Sequence, residues 1–210
     1  MFRRSVFVAA VVLAPTGLLV LAAPQAANAV VIGHGTAMCN VIQGAGTVSP
    51  GLTPVGSLGG VKINFHATIG SPAGALCGGT VTSPAGDHVR GGSLVGSGYY
   101  NAPIPTANGS SCSNFAGPDI VGQIKVTISW TMTGPPIANT VVVYKLNHAT
   151  VVGAGVDTIT LKAPSGTAVK TGSFATGPLN TTKLKTTLPG PACGPGPWSS
   201  FGINGGNVSM

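Results

Sequence analysis

The chain has 210 residues and a formal net charge of +7, yet only 6% of its positions are charged. It contains no glutamate, and 33 glycines and 17 prolines interrupt it every few residues. That spacing excludes long helices, whose solvated faces favour Glu, Lys, Leu and Ala. The 43% hydrophobic content argues against a wholly disordered chain, so strands and turns are expected.

Residues 1–29 read as a secretory signal. Arg3 and Arg4 precede an almost uncharged apolar run from Ser5 to Ala23, and Ala27-Asn28-Ala29 makes a small-x-small cleavage site. Pro15 interrupts a run close to spanning length, so cleavage before Val30 is favoured over retention as an anchor. Residues 30–210 are then expected to form one secreted, disulfide-stapled β domain, extracellular or associated with the cell envelope. No later apolar run is long enough to span a bilayer as a helix, so no transmembrane segment is expected in the mature chain.

Along that domain the clearest signal is a period of two. Val61, Ile63, Phe65, Ala67 and Ile69 alternate with Lys62, Asn64, His66 and Thr68. Further on, Ile124, Val126, Ile128, Trp130 and Met132 alternate with Lys125, Thr127, Ser129, Thr131 and Thr133. Successive strand side chains point to opposite faces, so each run has one apolar face and one hydroxyl-rich, solvated face. Weaker strands are expected at 80–82, 88–100, 139–146, 158–162, 168–174, 183–188 and 201–210. Proline and glycine clusters at 71–74, 83–87, 133–136 and 163–166 supply the turns between them. The resulting fold class is all-β, a single antiparallel meander of about eight or nine strands. A closed barrel is expected ahead of a sandwich, because few connections are long enough for Greek-key crossings.

Four cysteines follow the signal: Cys39, Cys77, Cys112 and Cys193. Without metal-type or redox-type spacing, an even number in an exported chain reads as two disulfides. Three pairings are open, of which Cys77 with Cys112 and Cys39 with Cys193 is the expected one.

The cysteines stand among recurring turn and strand motifs: Gly46-Thr47-Val48-Ser49-Pro50-Gly51-Leu52, Gly78-Gly79 after Cys77, Gly91-Gly92-Ser93-Leu94-Val95-Gly96, the 126–130 strand, and Phe201 with Gly205-Gly206. Together they resemble a type of short exported protein of high-GC Gram-positive bacteria, over nearly the whole mature chain. The resemblance implies an exported all-β domain and carries over no catalytic residue or ligand.

Chemistry-bearing constellations are sparse. No serine lies in a G-x-S-x-G elbow. His34, His66, His88 and His148 are scattered, and the only carboxylates are Asp87, Asp119 and Asp157. A triad of His66 or His88 with Asp87 or Asp157 is less favoured than solvated histidines. No catalytic residue, metal site or cofactor is expected, and the protein is expected not to be an enzyme.

After residue 29, eight lysines and arginines against three aspartates leave +5. The lysines are spread singly, which fits protection of edge strands better than nucleic-acid binding. Lys183 and Lys185 form the one close pair. Tyr99, Tyr100 and Trp198 offer amphipathic rings, so the candidate binding surface is Tyr99, Tyr100, Trp198, Lys183 and Lys185. Trp130 is expected in the core. Two functions follow. The first is a non-catalytic domain at the cell envelope, binding a wall polymer, glycan or surface protein. The alternative is a barrel that carries a small apolar ligand, and a hydrolase ranks third.

Overall fold

A computed structural model describes residues 30–53, 60–101, 121–152, 156–162, 170–177, 181–187 and 197–210. The expected signal, Cys112, Cys193, Asp119 and the 163–166 turn lie outside these residues, as do the side chains of Tyr100, His148 and Asp157.

The fold is all-β, as expected. Short strands β1 (His34–Gly35) and β2 (Met38–Cys39) precede β3 (Val41–Leu52), β4 (Val61–Gly70), β5 (Val81–Ser83) and β6 (Val89–Asn101). Then follow β7 (Val121–Met132), β8 (Thr140–Val152), β9 (Val156–Lys162), β10 (Lys170–Gly172), β11 (Thr181–Thr187) and β12 (Trp198–Ser209). The main sheet runs β10-β8-β7-β6-β4-β3-β12-β11-β9, and every ladder in it is antiparallel.

The sheet curls into a half-barrel that is open rather than closed, which corrects the expected cylinder. The seam lies at β8, which pairs with β7 by its first half and with β9 only by its second. Its ladder to β7 covers 140–145 and its ladder to β9 covers 145–152, so the two overlap only at Lys145. Beside the first half of β8 the edge is taken instead by three-residue β10. The expected strand at 168–174 stops there. Gly172 (φ 87°) and Phe174 (φ 57°) enter the left-handed region and open a turn. Lys170 Nζ holds that turn by donating to the carbonyls of Phe174 (3.1 Å) and Gly177 (2.8 Å).

The period-two faces point as the sequence indicates. Ile124, Val126, Ile128, Trp130 and Met132 are buried, as are Val61, Ile63, Phe65, Ala67 and Ile69. The strand with the poorest pattern, β3, has glycines where large residues were needed to make a pattern visible. Its Gly46 pairs with Phe201 on one side and Phe65 on the other, and Phe65 pairs in turn with Gly96. A Cβ at Gly46 would run into the Phe201 ring, and one at Gly96 into the Phe65 ring. Ring and glycine therefore alternate across four neighbouring strands, as a curved inner face of limited width requires.

The N-terminal segment closes one end. Ala37 exchanges backbone hydrogen bonds with Met210, and Met38 does so with Gly78. This second pair sets Cys39 beside Cys77, Cα to Cα 4.7 Å, and the two are disulfide-bonded. Cys77 with Cys112 and Cys39 with Cys193 is thus corrected, because the short β2 bridge had not been anticipated.

Gly96→Ala is expected to destabilise by about 1–3 kcal/mol, since the added methyl overlaps a buried ring with nowhere to move. Gly70→Ala serves as the contrast: its Cβ would meet nothing within 4 Å, and a gain of about 0.4–1 kcal/mol is expected from the stiffer unfolded chain. Urea titration of both variants checks the pair, and equal effects would contradict the ring-over-glycine packing.

Candidate functional site

Two places were candidates for a site: the interior and the outer face. Among the described residues, the inward side chains pack into one core. The apolar face of β7, which would have to line a carrier's cavity, belongs to one continuous core with Phe65, Leu94, Tyr144, Phe174 and Phe201. Trp130 meets Phe174 edge-on, with ring centroids 5.1 Å apart. Its Nε1–H donates to Thr140 Oγ1 (2.7 Å), and the Thr140 hydroxyl donates onward to the Ser173 carbonyl. Ser173 Oγ in turn accepts from the Gly33 amide (2.9 Å). Buried polar groups are thus paired with one another, as burial demands. Tyr144, fully buried, shares a hydrogen bond with Thr182 Oγ1 (2.9 Å). Burial raises the Tyr144 hydroxyl well above its ordinary 10.0, with the Thr182 bond opposing in part.

The outer face is different in kind. From β3, β4, β6 and β7 the outward residues include Gln43, Thr47, Asn64, Thr68, Ser93, Ser97, Gln123 and Ser129, a lawn of hydroxyls and amides. Strand pairing arranges them in transverse rows. Ser49, Lys62, Tyr99 and Gln123 form one row. Thr47, Asn64, Ser97 and Lys125 form the next, and Ala45, His66, Val95 and Thr127 a third. Directly opposed side chains on neighbouring strands sit about 5 Å apart. Ser97 Oγ donates to Asn64 Oδ1 (2.8 Å), fixing the amide within its row. Between the second and third rows runs a shallow depression of about 390 Å³, floored by Gly46, Phe65 and Gly96.

Of the five residues expected to form a binding surface, the four whose side chains are described are not gathered in one place. Tyr99 is 47% exposed and stands in the first row, beside Lys62. Lys183 and Lys185 are exposed on β11, four ladders away through β4, β3 and β12. Trp198 is buried at 8% exposure, its ring packed edge-on to Phe201 and its Nε1–H donating to the Ser200 carbonyl (2.6 Å). It belongs to the core. Tyr100 lies outside the described side chains.

Lysine placement also departs from expectation. Lys62, Lys125, Lys183 and Lys185 rise from β4, β7 and β11, each of which has a strand on both sides. They guard no edge. Sequence inspection missed Lys62 and Lys125 as site residues because their nearness to Tyr99 is created by cross-strand register. The legible signal was only that both occupy wet positions of the two strongest strands.

Among the described side chains the one aspartate is Asp87, and it does not stand beside His66. His66 lies on the outer face opposite Val95, whereas Asp87 precedes β6, whose first residue Val89 is already roughly 20 Å along the strand from Val95. Among the described residues no group of three His, Cys, Asp or Glu side chains could hold a metal ion. Among the same residues no helix is long and apolar enough to cross a membrane. On β4 and β7 the apolar residues face inward and the polar residues outward. No family model, curated protein or solved structure matches the chain.

Because the native fold keeps Tyr144 protonated while the unfolded chain ionises near pH 10, the unfolded state loses a proton that the folded state retains. The stabilisation is fully present below that pH and is lost as pH rises above it. Equilibrium unfolding between pH 8 and 11 should show a steeper alkaline loss for the parent than for Tyr144→Phe. Equal slopes would contradict the buried, protonated tyrosine.

Proposed function

We propose that the protein is an exported, non-catalytic β domain that acts at or near the cell envelope by binding a surface polymer through its outer face. The observation that carries this reading is the row pattern on β3, β4, β6 and β7: exposed hydroxyls and amides, one exposed tyrosine, and Lys62 and Lys125 close by. These four strands contain no aspartate or glutamate. A stripe of like charge with no opposing carboxylate attracts anionic partners over distance, and an exposed ring with a polar tip suits the apolar faces of sugars.

Export is supported by the signal-like residues 1–29 and by the Cys39–Cys77 disulfide, a bond that persists in oxidising compartments. The packed interior favours a surface function over carriage of an apolar ligand.

Co-sedimentation of the oxidised protein with isolated cell envelopes tests the reading at low and high salt. Retention at low salt is expected, weakened near 1 M salt where charges are screened beyond about 3 Å. It should fall in Tyr99→Ala and in the Lys62→Ala, Lys125→Ala double variant, and stay unchanged in Lys183→Ala. Absence of retention at either salt would overturn the envelope assignment.

A further inference from the structure

The depression on the outer face has a shape that the row pattern alone does not require. It crosses the strands rather than following one. Thr47, Asn64 and Ser97 make one rim, and Ala45, His66 and Val95 make the other. Its floor is backbone at Gly46 and Gly96 with Phe65 between them, so it is apolar below and hydroxylated on one side. Its volume of about 390 Å³ falls within the range of ligand-binding clefts. Small residues continue it toward β12, where Ser200 pairs with Thr47 and Gly202 with Ala45. At the other end Ser97 pairs with Lys125 and Val95 with Thr127.

Resting on the envelope-binding reading, we propose that this transverse groove seats one chain of an anionic, hydroxyl-rich polymer, a polyol or sugar chain joined through phosphodiesters. The hydroxyl groups of the chain meet Thr47, Asn64 and Ser97, its C–H faces lie over the glycine floor, and a phosphate sits beside Lys125. Neighbouring strands are about 4.8 Å apart, so the row from Thr47 to Lys125 spans roughly 14 Å across three ladders. That is room for a chain segment rather than a single small molecule. At its ends the rows continue in Ser200 and Gly202 on one side and in Lys125 and Thr127 on the other, so the chain can run on past both ends. Lys62 and Tyr99, one row farther along, offer a second cation and an aromatic face to a neighbouring unit.

Charge selects the ligand class. Lys125 is exposed, Lys62 likewise, and β3, β4, β6 and β7 supply no carboxylate to neutralise them. A lipid surface is the less favoured source of phosphate. Membrane docking draws on apolar side chains that enter the headgroup layer, and around the groove only Val95, 51% exposed, is a large aliphatic.

The test is a binding titration of the full, oxidised protein with a poly(glycerol phosphate) oligomer, with neutral dextran and phosphatidylglycerol vesicles as comparisons. Ala45→Trp fills the groove from an exposed position and should weaken binding of the oligomer by about tenfold. Lys125→Ala should weaken it by about threefold and flatten its salt dependence, while Lys183→Ala on β11 should leave it unchanged. Dextran should bind far more weakly than the oligomer. Binding by folded Ala45→Trp that matches the parent would overturn the groove, as would dextran binding equal to the oligomer. Vesicle binding tighter than oligomer binding would overturn the polymer in favour of a lipid surface. If Ala45→Trp does not fold, the Asn64→Ala, Ser97→Ala double variant decides by the same criterion. Envelope retention of the parent, with no loss in the groove variants, would remove the groove and leave the envelope reading intact. A parent that never sediments with envelopes removes that reading, while the oligomer titration still decides the groove.

Discussion

The placement of aromatic rings over glycines on the inner face is the constraint on which the rest of the structure depends. Across β12, β3, β4 and β6, Phe201, Gly46, Phe65 and Gly96 stand in one row, large alternating with nothing. A strongly curled sheet has less room inside than outside, and two full-sized side chains per pair would force the strands apart. The glycines leave room for the far end of each ring over the neighbouring strand, so curvature and packing are satisfied by the same residues. Those residues also form the floor of the groove on the opposite side. Core packing and the candidate site are two faces of one arrangement.

Where the curl fails to close, other side chains cover the gap. The staggered use of β8 leaves its first half without β9, and β10 with the following turn stands there instead. Phe174 is fully buried in a backbone conformation that non-glycine residues seldom adopt. Its edge-on contact with Trp130, the Thr140 hydroxyl bridge and the two Lys170 hydrogen bonds hold it there. Lys170 is the lysine that does occupy an edge strand, and it turns its amine to backbone carbonyls. Desolvation lowers the affinity of that amine for its proton. The exposed lysines on β4, β7 and β11 stand on strands paired on both sides, where there is no edge to block.

Much of the scaffold was legible because two strands have unbroken alternation. The buried faces of β4 and β7 follow directly from residues 61–69 and 124–132. Strand β3 was not legible as a strand: Gly44, Gly46, Pro50 and Gly51 erase its period, and the ring that fills the space over Gly46 arrives some 155 residues later. The disulfide was legible as a bond and not as a pair, since its geometry depends on a two-residue strand meeting Gly78. Trp198 after a Gly-Pro loop resembled a rim residue, yet its contact with Phe201 takes it inside. Of the proposed binding surface, Tyr99 was legible as a ring with an ambiguous face, while its neighbours Lys62 and Lys125 were visible only as wet positions.

By itself, the sequence determined the all-β class, the meander, the inner and outer faces of the strongest strands and the excess of positive charge. These depend on local chemistry: glycine and proline limits on the backbone, and the two-residue period of a strand. The tertiary structure alone decided the open seam, the Cys39–Cys77 partnership and the row that sets Thr47, Asn64, Ser97 and Lys125 side by side. Each of these depends on register between strands, and register is set by packing among residues far apart in the chain.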